Sequence, residues 1–240
     1  MILKLSLAYV IIRLLYNKYN IGECKMIKAV IFDLDGTLLD TLEDLANACN
    51  YALKSCGFKI HDVKDYTRFV GNGRYKLIER IVPDKYKEDK EVIDKVLGLF
   101  DEYYGEHMVD MTKPYDGINE MIDKLKEKNM KIAVVSNKPH EFAEDVVRRY
   151  FADSFEITYG QRPNHPTKPD PKTIYEVMES LNVAKDECIY VGDSDVDVNT
   201  AKNAGVKSVG VSWGFRGEGE LREAGADYII KAPIELLELL

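Results

Sequence analysis

The chain reads as an α/β fold: a doubly wound parallel sheet with helices on both faces, interrupted after its first strand by a small all-helical insert. Three observations lead there. Short continuous apolar runs, the pattern of strands buried on both faces, recur along the sequence. Between them apolar residues return at intervals of three and four, the period of an amphipathic helix, and this alternation is that of a sheet built from crossover units. The alternation fails in one place, residues 42–112, where only helical periodicity is found.

The first buried run is Ala29-Val30-Ile31-Phe32, ending in Asp33. In the insert, Leu42, Leu45, Cys49, Ala52, Leu53 and Cys56 mark one helix, with Cys49 and Cys56 on its buried face. Tyr75, Ile78, Ile81 and Val82 mark a second, and Val92, Ile93, Val96, Phe100 and Tyr103-Tyr104 a third. The core pattern resumes at Pro114, so the expected organisation is a core of residues 26–41 and 114–240 around an insert of 42–113. A helix through Ile118, Met121, Ile122 and Leu125 leads to the strand Ile132–Val135, and one through Phe142, Val146, Val147 and Tyr150 to a weaker strand, Phe155–Thr158. A helix through Ile174, Val177, Met178 and Leu181 then precedes strands at Cys188–Val191, Ser208–Val211 and Tyr228–Ile230.

Residues 1–25 stand outside this pattern. Lys4, Arg13 and Lys18 break their apolar run well short of the ~18–20 residues a membrane span needs. No small-residue cleavage site follows. The expectation is an N-terminal extension or start-site artefact, with Met26 as the native start.

Composition excludes several functions. The 240 residues carry 33 Lys and Arg against 41 Asp and Glu, a formal net charge of −8 with no basic stripe. Nucleic acid is therefore not an expected partner. Cys24, Cys49, Cys56 and Cys188 are scattered without zinc-ligand spacing, which fits a reducing cytoplasm rather than a disulfide framework or zinc module. His61, His107, His140 and His165 have no visible partners in the sequence and read as surface or loop residues.

In open parallel sheets ligands bind beyond the carboxyl ends of the strands. The first strand ends in Asp33-Leu34-Asp35-Gly36-Thr37, the second in Ser136-Asn137-Lys138, and the third in Gly192-Asp193-Ser194-Asp195-Val196-Asp197. Lys168-Pro169-Asp170-Pro171 precedes the helix before that third strand. Asp170 and Asp195 fit simple helix caps, and a single such Asp, Lys168 or Ser136 would be a turn or surface residue. Three strands sharing such endings make a site. Crowded carboxylates need a cation, and hard oxygen ligands without His or Cys point to Mg2+. Beside a lysine and a serine hydroxyl, such a site suits a phosphoryl group.

These residues resemble the haloacid dehalogenase-like superfamily. Asp33-Leu34-Asp35-Gly36-Thr37 is similar to its first motif, and Ser136-Asn137, Lys168-Pro169 and Gly192-Asp193-Ser194…Asp197 to its second, third and fourth, in order. Gly71-Asn72-Gly73, Gly214-Phe215-Arg216-Gly217 and Ala224-Gly225-Ala226-Asp227-Tyr228 resemble the phosphoglycolate phosphatase branch, whose Rossmann-like core carries a helical cap where the insert lies. The resemblance implies Asp33 as nucleophile, Asp35 as acid and base, and Mg2+ on Asp33, the Asp35 backbone carbonyl and Asp193. It implies phosphate held by Ser136, Lys168 as its counter-charge, and Asp197 as a brace. Thr37, Asn137, Gly71, Asn72, Gly73 and Arg74 are the further expected substrate-binding residues, with Arg74 a candidate partner for a substrate carboxylate. Tyr75 or Tyr103 could offer a stacking wall for a nucleotide, against a place in the core of the insert.

Carbon–halogen cleavage needs no leaving-group acid, so Asp35 favours phosphoryl transfer. The expected function is hydrolysis of small phosphomonoesters through an aspartyl-phosphate, 2-phosphoglycolate first among them, by a cytoplasmic monomer or homodimer. Its partner is a small phosphorylated metabolite, with no membrane. The alternatives are a β-phosphoglucomutase-like mutase, a pyrophosphatase or nucleotidase of the superfamily, and a non-catalytic phosphate-binding regulator.

Overall fold

The computed structural model describes residues 26–240, so the expectations for residues 1–25 and Cys24 lie outside the described residues. Six parallel strands form the main sheet in the order β5-β4-β1-β6-β7-β8. They are β1 (Ala29–Phe32), β4 (Lys131–Pro139), β5 (Ile157–Gln161), β6 (Cys188–Gly192), β7 (Lys207–Val211) and β8 (Tyr228–Ile230). β1 lies between β4 and β6, with Phe32 paired to Val134 on one side and Val191 on the other. The strand order reverses about β1, the place where doubly wound sheets open a crevice.

The continuous apolar strands follow from burial on both sides. Val30 and Phe32 pack with Ile118, Met121 and Val146 of the helices Ile118–Glu127 and His140–Phe151. Ala29 and Ile31 face the opposite way, toward Ile174, Val177 and Ala201 of the helices Lys172–Leu181 and Asp195–Ala204. Neither face of β1 has room for a polar residue, so its period-two alternation vanishes.

A third apolar cluster belongs to the helices Leu42–Ser55, Tyr66–Phe69, Arg74–Ile81 and Lys90–His107, and includes Leu53, Ile78, Val96, Phe100 and Tyr104. The chain leaves the core through β2 (Leu39–Asp40) and returns through β3 (Lys113–Pro114), and these pair antiparallel. Asp44, buried in the first turn of Leu42–Ser55, clasps the two crossings. Its carboxylate accepts the N–H groups of Met111 (3.0 Å) and Thr112 (2.8 Å) and the Thr112 hydroxyl (2.7 Å). Asp44→Ala would leave these donors unpaired, and a loss of about 3 kcal/mol is expected. The midpoint of urea unfolding measures it.

Some elements differ from expectation. β5 starts two residues late, because Phe155 sits before the strand with its ring edge-on to Phe32 (6.2 Å) and Phe151 (5.6 Å). Cys56 is half-buried just past its helix, while Cys49 is buried within it. Asp195–Ala204 and Gly217–Ala224 are helices that periodicity did not reveal. Among the described residues no helix is long and apolar enough to cross a membrane.

Candidate active site

Asp33 follows directly on β1, its N–H held by Val191 O at 2.8 Å. The chain then turns sharply at Gly36, whose φ of +85° suits glycine. Gly36 also lies against the Asp193 carboxylate, where a Cβ would come within 2.5 Å of Oδ2. β4 shifts register after Val135, and the irregular end buries Ser136, Asn137 and Lys138. β6 ends in Gly192, and at the start of the following helix the Asp197 carboxylate accepts the Ser194 N–H and hydroxyl.

Asp33, Asp35, Ser136, Lys168 and Asp193, distant in sequence, line one small cavity. Val70, Gly71, Gly73, Arg74, Leu77 and Tyr104 of the insert form its opposite wall. The closure is pinned by bonds across the two parts. Asn137 Nδ2 donates to Gly71 O at 2.9 Å, and Arg216 Nη2 to Val70 O at 2.9 Å.

Lys168 is a buried cation of the site, and its peptide bond to Pro169 is cis. Its Nζ lies 2.7 Å from Asp33 Oδ1 and 2.8 Å from Asp197 Oδ1, and it donates to the Tyr190 hydroxyl at 3.0 Å. Burial opposes its charge, but Asp197 and Asp33 outweigh that and hold its pKa well above the ordinary value. The ion pair with Asp33 is out of line for a hydrogen bond, so Asp33 Oδ1 is buried without a directed donor.

Asp33, Asp193 and Asp197 bring one carboxylate oxygen each within 4.8 Å of the others, and all three are buried. One lysine cannot neutralise three carboxylates. Burial, with Asp197 adding its charge, pushes the Asp33 carboxyl up to about 7 despite Lys168. The Asp193 carboxyl is also raised, by burial and by Asp197 and Asp33. A buried all-oxygen cluster with surplus negative charge fits a hard divalent cation. Asp197 has little capacity left for one. Its Oδ1 is held by Lys168 and Tyr190, and its Oδ2 by the Ser194 N–H (3.1 Å) and hydroxyl (2.6 Å). Asp193 accepts only the Phe215 N–H, at 2.7 Å, and stays free on its other oxygen among the described residues.

The Asp35 side chain stands apart from this cluster. Its Oδ1 accepts from Thr41 Oγ1 and Lys138 Nζ, both at 2.8 Å. Lys138 donates also to the Tyr104 hydroxyl at 2.7 Å. Sequence reasoning gave no role to Lys138, Thr41 or Tyr104. Adjacency to Ser136-Asn137 was the one available signal for Lys138. Ser136 Oγ accepts the Lys138 N–H at 3.2 Å, leaving its own proton to donate to a ligand.

Several expected binding residues are occupied elsewhere. Asn137 uses its amide on Gly71 O, Lys168 O and Lys168 N–H, so it braces two loops rather than offering a free side chain. Asn72 accepts from Arg80 at 2.7 Å and does not line the cavity. Thr37 is buried outside the cavity wall, its hydroxyl without a partner. Arg74 lines the cavity, but its guanidinium is bonded to Asp101. Tyr75 is exposed, and Tyr103 is half-buried against the core of the insert, stacked between Tyr51 and His107 (4.5 and 4.2 Å). The histidines do have partners: Ile81 O for His61, Asp110 for His107, Glu144 for His140 and Glu176 for His165.

Comparison with known proteins agrees with this arrangement. The profile of the family described as haloacid dehalogenase-like hydrolase matches residues 30–211. A phosphoglycolate phosphatase of Aquifex aeolicus is 30% identical over 214 residues, covering 89% of this chain and 96% of its own. One of Neisseria meningitidis serogroup A is 34% identical over 192 residues, covering 79% and 82%. Among solved structures, a Lactobacillus delbrueckii subsp. bulgaricus protein provisionally named a phosphoglycolate phosphatase superposes with a TM-score of 0.85 at 33% identity, covering 90% and 98% of the two chains. CbbY from Rhodobacter sphaeroides, solved with phosphate, gives 0.73 at 25%, covering 88% and 96%.

Proposed function

The chain belongs to the haloacid dehalogenase-like hydrolases, and from that premise we propose that it is a Mg2+-dependent phosphatase of small phosphomonoesters, with 2-phosphoglycolate its best substrate. In this reading residues 42–113 cap a core of residues 26–41 and 114–240. The observation that carries it is the meeting of Asp33, Asp35, Ser136, Lys168 and Asp193 in one cavity.

Asp33 is the nucleophile. One of its oxygens forms a bond to phosphorus as the ester P–O bond breaks, giving an aspartyl-phosphate. Asp35 gives its proton to the departing alkoxide, then takes one from water. The resulting hydroxide attacks phosphorus, the Asp33–phosphorus bond breaks, and inorganic phosphate leaves. Ser136 donates its hydroxyl to a phosphate oxygen, and Lys168 fixes Asp33 while offsetting its charge. Tyr190 and Asp197 hold Lys168 in place. Asp33, Asp193 and the Asp35 carbonyl would hold Mg2+, which when bound offsets the repulsion between Asp33 and the phosphoryl group.

The names of the relatives support 2-phosphoglycolate, and the small cavity suits a small ester. A substrate carboxylate reaching Arg74 would exchange with Asp101. The thiols of Cys49, Cys56 and Cys188 are free, which supports a reducing place of action. Phosphate release from small carboxylated phosphoesters, sugar phosphates, nucleotides and pyrophosphate tests the reading. A preference of roughly tenfold or more in kcat/KM for 2-phosphoglycolate is expected. No release from any of them with Mg2+ would overturn the enzymatic reading, and a sugar phosphate isomerised without release would favour a mutase.

The raised Asp33 carboxyl sets a pH dependence. An aspartate normally titrating near 3.8 and raised to about 7 binds more protons folded than unfolded between those values. Its contribution to stability is thus present at low pH and falls as pH rises through the window. Mg2+ bound to the ionised carboxylates should restore what is lost. The gain in thermal midpoint on replacing EDTA by Mg2+ is expected to be larger at pH 8 than at pH 5.5, by roughly 4 °C. Differential scanning fluorimetry measures both.

A further inference from the structure

We propose that Tyr104, contributed by the insert, is a positioning residue for proton transfer by Asp35: its hydroxyl fixes Lys138, and Lys138 fixes the Asp35 carboxylate. The inference rests on the acid–base reading of Asp35 given above.

The Lys138 side chain is only 2% exposed. Its ammonium bridges Asp35 Oδ1 at 2.8 Å and the Tyr104 hydroxyl at 2.7 Å, and Thr41 gives the same Oδ1 a second donor. No group among the described residues donates to Asp35 Oδ2, which leaves that oxygen to exchange the proton. A lysine stem is flexible, and an ion pair to one carboxylate oxygen leaves its head several orientations. The second acceptor selects one of them. Tyr104 is itself immobile, stacked on Phe100 at 5.2 Å with 11° between the rings and edge-on to Phe142 at 5.6 Å.

Phe142 and Lys138 belong to the core, whereas Tyr104 and Phe100 lie on the insert helix Lys90–His107. The bridge therefore joins insert and core, and it is complete as long as the insert is seated on the core. Proton transfer is sensitive to such placement, because donor and acceptor must come within hydrogen-bond reach.

Tyr104→Phe removes the hydroxyl and keeps the ring packing. Its kcat on 2-phosphoglycolate is expected to fall about tenfold with KM within twofold. The pre-steady-state burst of p-nitrophenolate from p-nitrophenyl phosphate should change less than twofold, because that leaving group departs without a proton. In an Asp35→Asn background the same substitution should cause no further loss on 2-phosphoglycolate, since its effect runs through Asp35. Equal losses on both substrates, unchanged kinetics, or a further loss on top of Asp35→Asn would each overturn the proposal. Asp35→Asn alone tests the underlying reading separately: it should lower alkyl ester turnover about 10³-fold, to a residual rate that the double variant can be compared with, and spare the burst.

Discussion

Asp33→Asn is expected to lower phosphate release by at least ~10⁴-fold, the scale seen when a covalent nucleophile is removed. Intact-mass measurement should show no phosphorylated protein at any time after mixing. The fold should survive, because an amide in place of the carboxylate retains the shape of the side chain and removes one of three mutually repelling charges. Metal-free Asp33→Asn is therefore expected to melt no lower than the unaltered protein at pH 8. Activity within 100-fold of the unaltered protein, free of contaminating phosphatase, would remove Asp33 as the attacking group.

Lys168→Met should damage both rate and stability, and this combination separates it from Asp33→Asn. The ammonium is the buried counter-charge to Asp33 and Asp197 and also bonds Tyr190. Removing one partner of a buried ion pair costs about 3–5 kcal/mol, because the other partner is left uncompensated. A loss of kcat of roughly 10³-fold is expected alongside, as the electrostatic support of the transferring group disappears. Lys168→Arg should rescue little, since a planar guanidinium cannot meet two carboxylates and a phenol packed around a point charge. Urea unfolding and steady-state kinetics on the same preparations report the two effects.

The sheet was legible because burial on both faces writes itself as an unbroken apolar run, with chemistry on the residues after β1 and β6 and on the irregular end of β4. Asp33, Ser136 and Asp193 could be found for that reason. β5 was misplaced by two residues because only Gly160 of its five residues is buried, so its pattern is weak. The helix Asp195–Ala204 carries two aspartates in its first turn and reads as a loop in the sequence, because the bonds by which Asp197 holds the Ser194 N–H and hydroxyl leave no periodic signal. Partner choice across long separations left no trace in the sequence. Lys138 meets Asp35 across 103 positions, and Tyr104 meets Lys138 across 34. On its helix Tyr104 stands in register with Phe100, so periodicity reports a core residue and hides the hydroxyl. Arg74 and Asn72 were read as free because Asp101 and Arg80 lie on other turns of the insert.

The paired exits β2 and β3 have a consequence for how such a chain can change over generations. Leu39 faces Pro114 and Asp40 faces Lys113, so the two ends of the interruption lie side by side whatever the length of chain between them. A replacement for that segment would enter and leave the six-stranded scaffold at the same two strands. It would have to rebuild the bonds that Asp44 makes and the contacts of Asn137 with Gly71, Arg216 with Val70 and Lys138 with Tyr104. Selectivity can drift through splicing at one seam while the reacting groups stay fixed.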